Sequence, residues 1–205
     1  MSIRVVEQKI SAVLLAAGLS LRMGEDKLLL SFRGETLLQR AVGLLMMLPV
    51  HERILVTTEE RLKKITLPPE IKVEINPHPE TGQSGSVQMG VTAATGDWYM
   101  FMAADQPGLT AADLHPLIEE ACGGKSYNKS GDKYKIIYPV VNGSPNTPVL
   151  FSSAFREELL AISGDEGGRS VRDAHPEACF PFTPEAPELF FDIDDIDDYS
   201  AIPGR

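Results

Sequence analysis

Cysteine is scarce in this chain of 205 residues: Cys122 and Cys179 stand far apart, with no CxxC pair and no histidine cluster beside them. A disulfide framework and a zinc site are both disfavoured, and buried free thiols in a reducing cytoplasm are expected. Long hydrophobic runs are also missing, none approaching the roughly 18 apolar residues of a membrane span. The first nine residues carry Arg4, Glu7 and Lys9 without an apolar segment, so no signal peptide is expected there. Positive charge is short, 19 Lys and Arg against 29 Asp and Glu, and the net charge of −10 argues against nonspecific nucleic-acid binding. Histidines are few and scattered (His51, His78, His115, His175), and no Ser/His/Asp or Cys/His pairing emerges. Two standard nucleotide loops are absent as well: neither GxxxxGK[ST] nor GxGxxG occurs, which disfavours a Walker-type ATPase and a Rossmann dehydrogenase.

What remains is an ordinary globular composition, 43% apolar and 23% charged, on a chain long enough for one domain with a sizeable core. It is organised around one stretch, Val13 to Lys27. A buried strand, Ile10 to Ala17, ends at Gly18, and a loop follows with two glycines, Ser20, Arg22 and Lys27. Such a loop, leaving a strand end, can turn backbone N–H groups and two cations toward one polyanion. Arg22 would chelate phosphate oxygens with its planar fork and Lys27 would act as a point charge. Gly18 and Gly24 would allow sharp turns and close approach to the ligand.

Apolar runs alternating with helical patterns predict an α/β fold with a mainly parallel sheet. Expected strands are Arg53–Thr58, Ile71–Ile75, Trp98–Ala103, Ile136–Val141, Val149–Phe151 and a final one over Leu189–Asp194, with a short extended piece at Leu28–Phe32. Expected helices follow Thr36, Thr58 (a short charged one over Glu59–Lys64), Gln83, Thr110, Ser152 or Ser153, and the glycine-rich loop Gly164–Ser170 (a short one to about His175), with a short closing one from Asp195 to Ile202. The polar stretch from Lys125 to Lys135 reads as a hairpin or mobile loop. The acidic run from Glu185 to Asp198 reads mostly as solvated surface.

The string LAAGLSLRMGEDK resembles the LAAGxSxRMGxxK motif of the MobA-like nucleotidyltransferases that attach a nucleotide to molybdopterin. Its two alanines resemble the cytidylyltransferase (MocA-like) branch, which uses CTP; the guanylyltransferase branch usually reads LAGG. The resemblance runs from about Ile10 to Ile202 and implies a single Rossmann-like nucleotidyltransferase domain. The implied sheet is mixed and mostly parallel, with helices on both faces. It also implies a magnesium-dependent transfer of CMP from CTP to molybdopterin cofactor with release of pyrophosphate. Alternatives are a GTP-using relative, a sugar- or polyol-phosphate nucleotidyltransferase, and a noncatalytic carrier of the cofactor; a molybdenum hydroxylase is a candidate client.

The site residues follow from the same resemblance. Leu15, Ala16, Ala17, Gly18, Ser20, Arg22, Gly24 and Lys27 would form the triphosphate loop. Gln83, Ser84 and Ser86, in a TGQSGSV segment similar to GQSxSL, would contact base and ribose, with helix capping by either serine as the competing account. Asp105, in an ADQP segment resembling a metal-binding DQP, would hold Mg2+; the competing account is a turn cap. Asp194, in FDIDDIDDY, matches the second metal ligand, with Asp192 as its neighbour on the same strand face. For the acceptor, Asn146 and Thr147 stand where the family usually carries Gly-His. Asp165 and Arg169 belong to GDEGGR, similar to GDxGAR, and Arg169 would meet a terminal phosphate or form a surface salt bridge.

Overall fold

In a computed structural model, residues 8–19, 24–124, 126–128 and 130–201 are described. Two residues of the expected loop, Ser20 and Arg22, lie outside them.

The elements run β1 (Ile10–Ala16), β2 (Ser31–Phe32), β3 (Glu35–Thr36), α1 (Leu37–Met47), β4 (Glu52–Thr57), α2 (Glu59–Leu62), β5 (Ile71–Ile75), α3 (Gln83–Ala93) and β6 (Trp98–Ala103). They continue with α4 (Ala111–Gly123), β7 (Ile136–Val141), β8 (Ser144–Pro145), β9 (Val149–Ser152), α5 (Arg156–Ala161), α6 (Arg169–Ala174), β10 (Cys179–Phe182) and α7 (Ile196–Ala201). The main sheet has the order β10-β7-β9-β6-β1-β4-β5, with β8 paired to β7. β6, β1, β4 and β5 are parallel, as are β10 and β7, while β9 runs antiparallel to both neighbours. The fold is thus a single α/β domain on a mixed, mostly parallel sheet.

Alternation along the central strands builds a core on each face. Ala12, Leu14 and Ala16 of β1, with Met100 and Met102 of β6, pack with Leu38 and Leu45 of α1 and Leu114 and Leu117 of α4. Val13 of β1, with Tyr99 and Phe101 of β6, packs with Val87 and Val91 of α3 and Leu159 of α5. Helices therefore flank both faces. Thr36 caps α1 through a capping box with Gln39, as the T-x-x-Q spacing predicts.

Three local expectations are corrected. Leu28–Phe32 is not one extended piece: Lys27–Leu29 is a 3-10 turn, and only Ser31 and Phe32 form a strand, paired in a hairpin with β3. Leu189–Asp194 is not a strand. A 3-10 turn covers Pro187–Leu189, and the chain then crosses the sheet end with Phe190 and Ile193 buried. Its main-chain link to the site is one bond, from Ile193 N–H to the Asp105 carbonyl, 3.0 Å. An unexpected strand, β10, comes from Cys179-Phe180-Pro181-Phe182. Tyr127 and Lys133 form an isolated antiparallel bridge within the expected hairpin. Among the described residues, no helix is long and apolar enough to cross a membrane.

Candidate active site

Parallel strands β1 and β6 are neighbours in register, Leu15 opposite Ala103, so the segments leaving their carboxyl ends emerge side by side. The connection from β1 leads away to β4 on one side while β6 lies on the other. This reversal opens a crevice over the strand ends, where open α/β sheets bind ligands.

Lys27 and Asp105 meet in that crevice. Lys27 opens the 3-10 turn, whose preceding residue, Asp26, accepts the Leu28 N–H at 3.2 Å. The Lys27 ammonium donates to Asp105 Oδ2 at 2.6 Å and to the Ile193 carbonyl at 2.7 Å, and stands 3.8 Å from Asp194 Oδ1. Both side chains of the close pair are largely covered, 16% and 18% exposed. The other oxygen, Asp105 Oδ1, is buried without a hydrogen-bond partner. An unsatisfied buried acceptor costs about 1–3 kcal/mol, and this one faces a concentration of negative charge. Burial pushes the Asp192 carboxyl up to about 6, helped by the charges of Asp105 and Asp194. Ammonium, carboxylates and bare oxygen meet at one cation position, which the Lys27 ammonium occupies.

Two cavities open from this point. The larger, about 610 Å³, is lined by Ala17, Gly18, Lys27, Gln83, Ser86 and Asp105, among others, with Asp194 at its edge. The smaller, about 320 Å³, is lined by Asn146, Thr147, Arg169, Arg172 and Asp192. Leu15, Gln83, Ala103 and Asp105 border both. Asp105 thus stands between the two compartments.

Several expected site residues fall elsewhere. Ala16 lines neither cavity; it is 1% exposed and its carbonyl accepts from Thr57 and Arg61. Ser84 is buried and its N–H donates to the Gly164 carbonyl at 3.1 Å. Ser86 accepts from Asn76 Nδ2 at 3.0 Å, with its residue still on the larger cavity's wall. Neither serine caps α3, which begins after Gly82 with no side-chain cap. Gly82 has φ +98°, and a Cβ there would lie 2.5 Å from the Gly164 oxygen, so the 164–165 loop seals this helix start. Asp165 accepts the Gln83 N–H at 3.2 Å and lines the larger cavity, whereas Asn146 and Arg169 line the smaller. Gly24 has the left-handed φ, +70°, that the loop reading requires, but it lines neither cavity; Gly18 lines the larger one without a left-handed φ. Asp192 and Asp194 share no strand face: they serve different cavities. Arg169 lines the smaller cavity.

Two residues the sequence reading passed over line neither cavity but hold the groups that do. Gln106, 6% exposed, donates to Asn146 Oδ1 at 2.8 Å and accepts from Thr147 Oγ1 at 2.9 Å. Asn146 Nδ2 continues the chain to the Phe190 carbonyl at 3.1 Å. The Asn-Thr pair therefore locks Gln106, directly after Asp105, into one orientation. Arg61, in the short charged helix expected after Thr58, is buried beneath the end of β1. No local pattern in Glu59-Glu60-Arg61-Leu62 distinguishes it from a solvated helix.

Fold and site together give an α/β domain with a lysine-bearing turn and an incompletely satisfied carboxylate at adjoining strand ends, the layout of a nucleotide-handling enzyme. The MobA-like NTP transferase domain model matches residues 12–179, and the chain belongs to that family of nucleotidyltransferases. It is 26% identical over 163 residues to a probable molybdenum cofactor guanylyltransferase of Bacillus anthracis, covering 77% of this chain and 76% of that one. Its fold matches Rv0371c of Mycobacterium tuberculosis with a TM-score of 0.76 at 20% identity, covering 95% and 97% of the two chains. That protein has also been solved in complex with manganese, where the TM-score is 0.73 at 19% identity over 94% and 96%. A nucleotidyl transferase from Methanothermobacter aligns with a TM-score of 0.73 at 22% identity over 94% of each chain.

Proposed function

We propose that this nucleotidyltransferase transfers CMP from CTP to molybdopterin cofactor and releases pyrophosphate. The observation that carries the reaction class is the 2.6 Å contact of Lys27 with Asp105 at the junction of two cavities. The larger cavity has the volume and the cation to take a nucleoside triphosphate; the smaller, with Arg169 and Arg172, takes an anionic acceptor. Lys27, joined by Arg22, neutralises charge as pyrophosphate leaves. The acceptor phosphate is already anionic, so no general base is assigned.

Magnesium fits the residues present. Asp105 Oδ1 is orphaned, Asp194 lies across the cation position, and no group of three or more ligating residues closes a protein-only cage among the described residues. That suits an ion that takes one or two carboxylates and keeps water and phosphate oxygens. Bound there, Mg2+ supplies charge neutralisation on the phosphates.

Ala17 favours cytosine. It is 2% exposed, yet it lines the larger cavity, and its methyl group occupies space that glycine would leave open to a purine. Such a methyl is worth about 1–3 kcal/mol of discrimination. A GTP-using reading is favoured instead by the guanylyltransferase naming of the bacillary relative. Pyrophosphate release measured with CTP, GTP, ATP and UTP, with and without molybdopterin cofactor, separates them. CTP with the cofactor gives the highest rate under this reading, GTP under the second. No release with any nucleotide would leave a noncatalytic carrier.

A further inference from the structure

Arg61 is 4% exposed, and each of its three guanidinium nitrogens donates a hydrogen bond. Nη1 donates to the Ala16 carbonyl at 2.7 Å, Nη2 to the Gly18 carbonyl at 2.6 Å, and Nε to Asp26 Oδ2 at 2.7 Å. The first two acceptors lie where β1 ends. The third lies where the chain returns toward Lys27. One planar fork therefore closes the neck of the 18–26 loop, joining its two ends across the strand terminus. The same Asp26 accepts the Leu28 N–H through its other oxygen, 3.2 Å, at the head of the turn that carries Lys27. The contacts form one continuous chain: Arg61, Asp26, the 3-10 turn, Lys27, Asp105.

We propose that Arg61 is a positioning residue for the nucleoside triphosphate: it clasps the neck of the loop and, through Asp26, sets where Lys27 presents its ammonium. The inference rests on the reading of this loop as the triphosphate site. Arginine is required because three acceptors in different directions need a planar, permanently charged fork; lysine offers a single charged point. Touching neither cavity, Arg61 acts only through the loop.

The test measures binding of Mg-CTP and Mg-GTP by calorimetry, with KM and kcat from pyrophosphate release and a thermal melt of each variant. Arg61→Met is expected to weaken the nucleotide that the unaltered protein prefers at least tenfold, while the KM for the acceptor moves less than twofold. Arg61→Lys recovers only part of the loss. Asp26→Asn keeps an acceptor for Leu28 N–H but loses the charge pair, so it weakens nucleotide binding at least threefold. The double variant is no more than twofold worse than Arg61→Met, since both act through one contact. Normal nucleotide affinity in a folded Arg61→Met, or equal rises in both KM values, overturns the proposal. If Arg61→Met does not fold, Asp26→Asn decides, its side chain being 28% exposed: threefold weakening supports the clasp and unchanged affinity overturns it. An unaltered chain that binds neither nucleotide overturns the triphosphate reading together with the clasp; variants that bind as it does overturn the clasp alone.

Discussion

The two ends of the central sheet each carry a partly buried carboxylate, and they are treated in opposite ways. At the amino-terminal end, Glu52 Oε1 accepts from Ser11 Oγ, Thr95 N–H and Thr95 Oγ1, and Ser11 Oγ accepts in turn from Gly96 N–H. Burial alone would raise the Glu52 pKa, but these hydrogen bonds outweigh it and hold the carboxyl below its ordinary value. At the carboxyl-terminal end, Asp105 is given a lysine on one oxygen and nothing on the other. The lower network spends its polar groups on joining strands to loops. The upper one withholds an acceptor, and a fold gains nothing from that. The contrast sets a carboxylate satisfied by the fold against one that the fold leaves half satisfied, as the proposed function requires.

Exchanging the two carboxylates for uncharged residues should break the contrast most visibly. Asp105→Asn is expected to lower kcat/KM for pyrophosphate release by roughly a thousandfold, with Tm shifted by only about 2 °C, the scale of a sub-kcal/mol change in a chain this long. Glu52→Ala should do the reverse. It strands the Ser11 hydroxyl and the Thr95 N–H, costing about 2–3 kcal/mol and roughly 5–10 °C in Tm, while kcat/KM is retained. Because the folded Glu52 pKa is depressed, its contribution is present above the ordinary value of 4.5 and is lost as pH falls through the folded one. Unaltered and Glu52→Ala melting curves should therefore converge in acid. A Glu52 variant inactive at full stability would abolish the distinction.

Lys27 sharpens it. Its ammonium occupies the cation position between Asp105, Asp194 and the Ile193 carbonyl, so a metal ion arriving without nucleotide competes with it. Lys27→Met should bind Mn2+ alone about tenfold more tightly than the unaltered chain, as read by the free-ion electron paramagnetic resonance signal. With Mg-nucleotide the order reverses, since the triphosphate gives Lys27 a new partner. Equal Mn2+ affinity in both proteins would mean that the ammonium is not in the metal's place.

How much of this could be read in the residues alone depended on where the cause lay. The central strands were legible because runs such as Trp98–Ala103 carry their burial in composition. Strand order was not: that β1 and β6 adjoin, bringing Lys27 to Asp105, is a consequence of topology, and only the family resemblance pointed to it. Arg61 was hidden because its burial comes from tucking a four-residue helix beneath a strand end. At β10, Pro181 runs against strand composition, and only the edge position tolerates it. The segment Phe190-Phe191-Asp192-Ile193-Asp194 deceived through its alternation. Its buried residues are Phe190 and Ile193, three apart, because it crosses the sheet end without pairing along it.

That crossing leads to the smallest expected effect. Asp192 sits on the smaller cavity within reach of Asp105 and Asp194, and burial followed by those two charges raises its carboxyl to about 6. A pKa raised by folding means that the folded state holds its proton more firmly than the unfolded chain, whose value is near 3.8. Stability is then lost as pH climbs from the unfolded value through the folded one, and the full cost is felt above both. Asp192→Asn removes that cost. The side chain opens onto the cleft, and solvent screening discounts the gain, which should be about 1 kcal/mol or 2–4 °C in Tm at pH 8. The gain should shrink as pH falls through about 6 and vanish below 3.8. A destabilised Asp192→Asn at pH 8 would show that Asp192 belongs with Glu52, as part of the fold. A stabilised one would place it with Asp105, among acids held in tension at the upper end of the sheet.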